Sequence, residues 1–550
     1  MNPLLIILLT PALATLALFF IPGRNHAAIR GLCLFATVIT LVTAIVAFIG
    51  FADAPVDDTL VEWNGEKVAL GIANQGEATE HVYKWTSKTD WVDEIGLSFF
   101  VGVDGMGIAM TLLTAIIIFC GVIVSFTVQD RVKEYYVSLM ALVTGVFGVF
   151  MSLDLFFYYF FYELAVIPMF LLIGIWGSTT KTVDQNYATM KLVLMLSTGA
   201  VFALIGLIAT YYNGGGTFDM IRLEEAEFSS SFQMIWFPII FLGFGSLIPL
   251  WPLHSWSPAG HAAAPAAVSM LHAGVLMKLG AYGVLRVALT YFPEAAPFYL
   301  KIVAVLCCFN IIYGGLVAIS HRDMKLIIGY SSSSHMGYVL LGIASMTLIG
   351  LEGAIFLMFA HGIMTALAFS LIGWFYDQKH TRMLDDLGGM MKVMPFAGTG
   401  FIIASMASAG LPGFANFVSE LMVIIGAWEA AWESGQWWLD RPAVLAVWGL
   451  VITGVYLLRA VKDAWFGELP DRWKDLKDVK TPMQKTPFVV LIATLLFFGF
   501  YPKPMLDVIH QGAVPLLKRV EQSQQKPETA AAPVLIEDAD TPPAAPAEGR

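Results

Sequence analysis

The chain has 550 residues, of which 57% are hydrophobic and only 13% charged, and its formal net charge is −11. A soluble domain carries about 25% charged residues, so a soluble globular class is excluded, and the acidic balance speaks against a nucleic-acid partner. Apolar runs of about 18 residues or more recur without period-two alternation, which selects membrane-crossing helices over a β-barrel.

In chain order, about fourteen spans are predicted, at 3–22, 30–51, 106–127, 135–152, 154–177, 187–211, 232–252, 266–291, 296–319, 324–347, 350–376, 394–427, 442–465 and 487–503. They are numbered 1 to 14 below. The first is expected to be a membrane helix and not a secretory signal, because its earliest basic residues, Arg24 and Arg30, follow the apolar run instead of preceding it. The loop 52–96 holds ten Asp and Glu against three Lys and is expected to form a small hairpin cap turning at Asn64-Gly65. The stretch 467–485 alternates charges and reads as an interfacial connector, while the Ala/Pro/Glu-rich tail from 511 is expected to be disordered. The expected organisation is 1–105 (two helices and the acidic loop), 106–290 (first half), 291–466 (second half), 467–510 (connector and last helix) and 511–550 (tail).

Basic residues gather after odd-numbered spans: Arg131 and Lys133 after span 3, Lys181 after span 5, Arg322 and Lys325 after span 9, and a run from Arg459 to Lys485 after span 13. By the positive-inside rule these ends face the cytoplasm, and both termini lie outside. Two spans are interrupted within the membrane. Pro249, Pro252, Pro258, Gly260 and Pro265 break span 7, and Gly410, Pro412 and Gly413 break span 12. Breaks five spans apart fit inverted five-helix repeats, spans 4–8 and 9–13, with broken helices lining a polar cavity.

The four cysteines, Cys33, Cys120, Cys307 and Cys308, lie in apolar runs without a C-x-x-C pair, so no iron–sulfur or zinc ligand set is expected. The informative residues are charges inside the spans. Each costs on the order of 2.5–3.5 kcal/mol at a helix centre, so each needs a partner, water or a task. They are Glu163 (span 5), Lys191 (span 6), Lys278 (span 8), His335 (span 10), His361 (span 11) and Glu420 (span 12). Acids, amines and imidazoles strung across several helices suit proton transfer, since burial and neighbouring charges bring such groups within reach of losing and regaining a proton. For any one of them a static ion pair or a satisfied core histidine is the alternative, and for Lys191 snorkelling to the interface. His254, His261 and His272 surround the span 7 break and are expected to orient water or backbone there. Asp154 is a candidate cap for span 5.

At these residues the chain resembles the antiporter-like membrane subunits of respiratory complex I, and among them the chain M branch. The resemblance is carried by Tyr162-Glu-Leu-Ala-Val-Ile-Pro-Met169, Pro252-Leu-His-Ser-Trp-Ser-Pro258 and Ala273-Gly-Val-Leu-Met-Lys-Leu-Gly-Ala-Tyr-Gly283, then by Asp323-Met-Lys325, Tyr330-Ser-Ser-Ser-Ser-His-Met-Gly337, Ala360-His-Gly362 and Gly410-Leu-Pro-Gly-Phe-Ala-Asn-Phe-Val-Ser-Glu420. It covers roughly residues 100–500. It implies an all-α polytopic membrane protein of fourteen transmembrane helices with an inverted five-helix repeat. It also implies that Glu163 is the span 5 glutamate, Lys191 the span 6 lysine, Lys278 the central lysine, His335 and His361 bridging histidines, and Glu420 the exit-side glutamate.

One departure stands out. The family's span 7 lysine, partner of the span 5 glutamate, is replaced here by about Leu247 within Gly243-Phe-Gly-Ser-Leu-Ile-Pro-Leu-Trp-Pro252, so Glu163 is expected to pair with Lys191 instead.

The implied function is a proton-translocating membrane-arm subunit of a complex I-type NADH–quinone oxidoreductase, with no cofactor in this chain. Quinone, flavin and iron–sulfur clusters are expected in partner subunits. The expected partners are other membrane-arm subunits, including sister antiporter-like ones, and lipids; the expected location is the bacterial inner membrane. The alternatives are a subunit of a multisubunit Na⁺/H⁺ antiporter or a hydrogenase-linked pump, a passive scaffold whose charges only set helix packing, and a cytochrome with His335 and His361 on haem.

Overall fold

The computed structural model describes residues 2–52, 60–63, 66–69, 82–432 and 435–525. Helices dominate it, and twelve are long and apolar enough to cross a membrane. They are Pro3–Phe20, His26–Gly50, Gly105–Thr127, Val132–Met151, Leu155–Trp176, Gln185–Asn213, Ser230–Leu247, Ala266–Leu289, Ala296–Ser320, Leu348–Lys379, Asp440–Trp465 and Pro482–Phe500. The other two expected spans are helical but fall short of that measure. Span 10, Met324–Ser345, carries the serine run, and span 12 is split into Pro395–Ser408 and Ala415–Trp432.

Short polar side chains start many of these helices. Asp104, Asp184, Asp323 and Thr347 each accept a hydrogen bond from a first-turn amide of the span they precede, so amides that lipid would leave unsatisfied are bonded. Asp154 does the same for span 5, accepting from Phe156 N at 3.0 Å and Phe157 N at 3.1 Å.

Burial divides the bundle into central helices and an outer rim. Spans 8 and 11 are buried over the whole of their most apolar 18-residue stretch, span 3 over 89% of it, and span 10 at every residue but Tyr330, so these four form the centre. Spans 1, 6, 13 and 14 present Leu13, Phe19, Leu194, Val201, Val451 and Phe497 outwards, a surface suited to acyl chains. Span 8 contains two π-helical turns, His272–Leu276 and Val284–Leu289, and span 9 one, Phe309–Tyr313.

The loop before span 3 forms antiparallel hairpins, Leu60–Trp63 with Glu66–Ala69 and Lys84–Val92 with Leu97–Val103; the Asn64-Gly65 turn lies outside the described residues. The chain after span 14 departs from expectation. It continues as a helix, Lys503–Gln525, through the first part of the segment expected to be disordered. That helix is amphipathic and buries Met505, Val508, Ile509 and Leu516 against spans 3 and 11. The Ala/Pro-rich composition that argues for disorder begins beyond it, at 526–550, outside the described residues.

Candidate functional site

Spans 8 and 11 approach backbone to backbone where glycines face each other. A Cβ at Gly362 would stand 2.6 Å from the Gly274 carbonyl oxygen, so only glycine permits the contact. That approach sets His361 beside Lys278, with Nζ 2.7 Å from Nδ1. Lys278 also donates to the carbonyl of Ala273, in the π-helical turn preceding it. An ammonium has no acceptor capacity, so His361 accepts at Nδ1 and carries its own proton on Nε2. Nε2 is buried and has no protein partner.

The next member is His335, whose ring centroid lies 5.1 Å from that of His361. Its Nδ1 faces the Ser331 carbonyl at 2.8 Å and its Nε2 the Ser408 carbonyl at 3.1 Å. Two acceptors, one at each nitrogen, are satisfied together only by the doubly protonated ring. The counter-charge is Glu420, whose Oε1 is 3.3 Å from Nε2. Glu420 reaches this place through the break in span 12. Gly410 has φ +67°, and a Cβ there would stand 2.5 Å from Glu420 Oε2. Lys278, His361, His335 and Glu420 therefore form one continuous row, each at most 1% exposed. Around its Glu420 end, the Asn416 amide and the Ser405 hydroxyl are buried without a protein partner, the kind of lining that ordered water satisfies.

Further polar groups converge on the Lys278 end. His261 and His272 have ring centroids 4.0 Å apart, and Ser257 Oγ lies 3.1 Å from His261 Nε2. The backbone of His261 accepts from Ser269 Oγ at 2.9 Å, and Lys325 Nζ lies 3.5 Å from that hydroxyl and 2.5 Å from the Ala264 carbonyl. Lys325 in turn lines a cavity of about 560 Å³, with Asp130, Tyr376, Asp377 and His380 among its walls. This cavity, also lined by Ser178, lies at the end of the bundle where the exposed Arg131 and Lys181 follow spans 3 and 5.

The first half of the expected row is assembled differently. Glu163 is half-buried and accepts from Tyr159, one turn earlier on its own helix, at 3.2 Å. No ion pair joins it to Lys191 among the described residues, so the expected pairing is corrected. Lys191 instead lies over the Tyr187 ring, 5.4 Å from its centroid, a cation–π contact available at the helix edge. Leu247, at the place of the family lysine, is buried in apolar surroundings.

Two features were not singled out in the sequence. Arg286 and Asp104 form an ion pair at 2.7 Å, both essentially solvent-free, and Arg286 Nη1 donates to Tyr83 at 2.9 Å. Asn310 bonds to the span 7 break. Each had a signal in a lone charge or amide set in or beside an apolar run. Among the described residues no group of three or more His, Cys, Asp and Glu could hold a metal. His335 engages both nitrogens with protein acceptors, which removes it as a haem ligand in this arrangement.

Comparison with known proteins adds three findings. Residues 152–439 match the family described as NADH:quinone oxidoreductase/Mrp antiporter, TM. A relative from Rickettsia bellii named NADH-quinone oxidoreductase subunit M is 34% identical over 451 residues, which is 80% of this chain and 87% of that protein. A Rhodobacter capsulatus protein of the same name is 35% identical, covering 76% and 81%. Among solved structures, a chain of respiratory complex I from Thermus thermophilus matches with TM-score 0.79 at 23% identity, over 94% of this chain and 99% of that one. A chain of the Mrp complex from Dietzia sp. matches with TM-score 0.78 at 19% identity, over 95% and 100%. At these identities the structural matches speak for the fold.

Proposed function

The chain belongs to the NADH:quinone oxidoreductase/Mrp antiporter membrane family, and on that premise we propose that it is a proton-translocating membrane-arm subunit of a complex I-type NADH–quinone oxidoreductase. The observation that carries the reading is the buried row Lys278–His361–His335–Glu420, in which an amine, two imidazoles and a carboxyl group follow one another.

His335, doubly protonated, first gives a proton to Glu420, which releases it through the polar lining at the span 12 break. The Nε2 proton of His361 then refills the vacated nitrogen of His335, and Lys278 passes a proton to Nδ1 of His361. Loading comes from the 560 Å³ cavity past Lys325 and the His261/His272 pair. The cavity opens to the cytoplasm in this reading, with both termini outside; the positive-inside rule and the basic residues near the cavity support it. Spans 4–8 and 9–13 act as inverted five-helix sets, each with one broken member. Moving one charge against 100 mV costs about 2.3 kcal/mol, comparable with breaking and remaking one buried ion pair.

Redox chemistry, with its flavin, iron–sulfur clusters and quinone, belongs to partner subunits. Sister antiporter-like subunits adjoin this one, and Glu163, half-buried in the isolated chain, is positioned to respond to a neighbour's charge. A multisubunit Na⁺/H⁺ antiporter is the second reading, favoured by the fold match to an Mrp complex chain.

The test is Lys278→Ala and Glu420→Ala in the assembled complex, with NADH-driven acidification of inverted vesicles as the readout. Each variant is expected to lose pumping at least tenfold; wild-type pumping and coupled quinone reduction in both would end this reading. Co-purification of flavin- and iron–sulfur-containing subunits separates it from the antiporter.

A further inference from the structure

Between Leu247 and Leu253 span 7 leaves its helical ladder, and the amide of Trp251 and the carbonyl of Pro249 need partners from elsewhere. Asn310 of span 9 supplies both. Its Oδ1 accepts from Trp251 N at 2.5 Å, and its Nδ2 donates to Pro249 O at 2.9 Å. The second Nδ2 hydrogen goes to the Ser333 carbonyl of span 10, at 3.1 Å. Asn310 sits in the π-helical turn Phe309–Tyr313, where the extra residue in the turn alters which side chains face inwards. Gly337 leaves room for it, since a Cβ there would stand 2.8 Å from Asn310 Cβ.

Ser333 is two residues before His335, and His335 Nε2 bonds the carbonyl of Ser408, the last residue before the break in span 12. One line of hydrogen bonds and a single stretch of helix thus runs from the span 7 break, through Asn310 and Ser333 to His335, and on to the span 12 break. Both ends are the places where the backbone is least constrained by its own helix. A buried amide making three bonds resists any motion that separates its partners, because no water replaces a lost bond.

We propose that Asn310 is a positioning residue that couples the two broken helices, transmitting displacement of the span 7 break to the serine-rich turn carrying His335. The proposal rests on the transport reading above. It names a connection through span 9 that touches neither the lysine nor the carboxylate of the row.

The test uses the assembled complex with Asn310→Leu, which keeps the size and removes all three bonds, and Asn310→Asp. In this apolar site the aspartate is expected to be neutral; it keeps the acceptor for Trp251 but can donate to only one of the two carbonyls. Assembly is read on native gels, quinone reduction from NADH consumption, and the protons moved per NADH in proteoliposomes. The expected result is normal assembly, quinone reduction within about twofold of wild type, and a proton-to-NADH ratio down at least threefold for Asn310→Leu and less for Asn310→Asp. A wild-type ratio in both variants overturns the coupling role. Loss of assembly in both, or pumping that falls only in step with quinone reduction, assigns Asn310 a structural role and also overturns it. Lys278→Ala run alongside separates the two claims: a wild-type ratio there removes the transport reading and this proposal with it, whereas a wild-type ratio in the Asn310 variants alone removes only the coupling.

Discussion

Lys278 Nζ lies 2.7 Å from Nδ1 of His361, and solvent reaches neither side chain. The pair is the junction between the loading groups around His261 and His272 and the half that ends at Glu420. Replacing His361 with alanine removes the acceptor of a buried ammonium and opens the row in the middle. We expect His361→Ala to lower proton pumping at least tenfold while NADH oxidation by the assembled complex falls less. Vesicle acidification measured beside NADH consumption checks this, and equal pumping in variant and wild type would remove His361 from the path.

The two glutamates are expected to differ in weight. Glu420 is sealed beside His335, whereas Glu163 is half-buried and held only by Tyr159. Glu163→Gln is therefore expected to reduce pumping by less than about threefold, and Glu420→Gln by at least tenfold. A reversed order in the same vesicle assay would move the main path to the first half.

Asp154 supplies a pH dependence. Burial pushes its carboxyl from the ordinary 3.8 up to about 7, although hydrogen bonds from Phe157, Ser98 and Phe156 amides pull the other way. Between those two values the folded chain holds a proton that the unfolded chain has released, so stability falls as pH rises from about 4 to about 7 and levels off above that. Asp154→Asn keeps a good cap and is expected to remove that slope, while Asp154→Ala loses the cap and about 1 kcal/mol. Thermal unfolding in detergent across this pH range measures both, and an unchanged slope in Asp154→Asn would assign it to another group.

The Asp104–Arg286 pair predicts a stability effect without a transport role. Breaking a buried ion pair from one side costs about 3–5 kcal/mol, and replacing both partners with apolar groups often restores much of it. Arg286→Met alone is expected to lower the melting temperature and the amount of assembled complex. Adding Asp104→Leu is expected to recover part of the loss, despite removal of the span 3 cap. If the double variant is no better than the single one, the carboxylate has a second partner that matters more.

Hydropathy and the loop charges made the membrane class and nearly every helix legible in the sequence, because lipid requires long apolar helices. The proline and glycine clusters marked both breaks for the same local reason. Lys278, His335, His361 and Glu420 stood out because a charge or imidazole in hydrocarbon needs an explanation. Their union into one row did not follow from the sequence: it depends on Gly274 meeting Gly362 and on the φ of Gly410, distances between helices that no single helix specifies. The same holds for Glu163, whose expected pairing with Lys191 gave way to Tyr159, a neighbour on its own helix. Asn310 is the clearest case. Its amide was visible in an apolar run, but only the folding back of spans 7 and 10 against span 9 decided what it bonds.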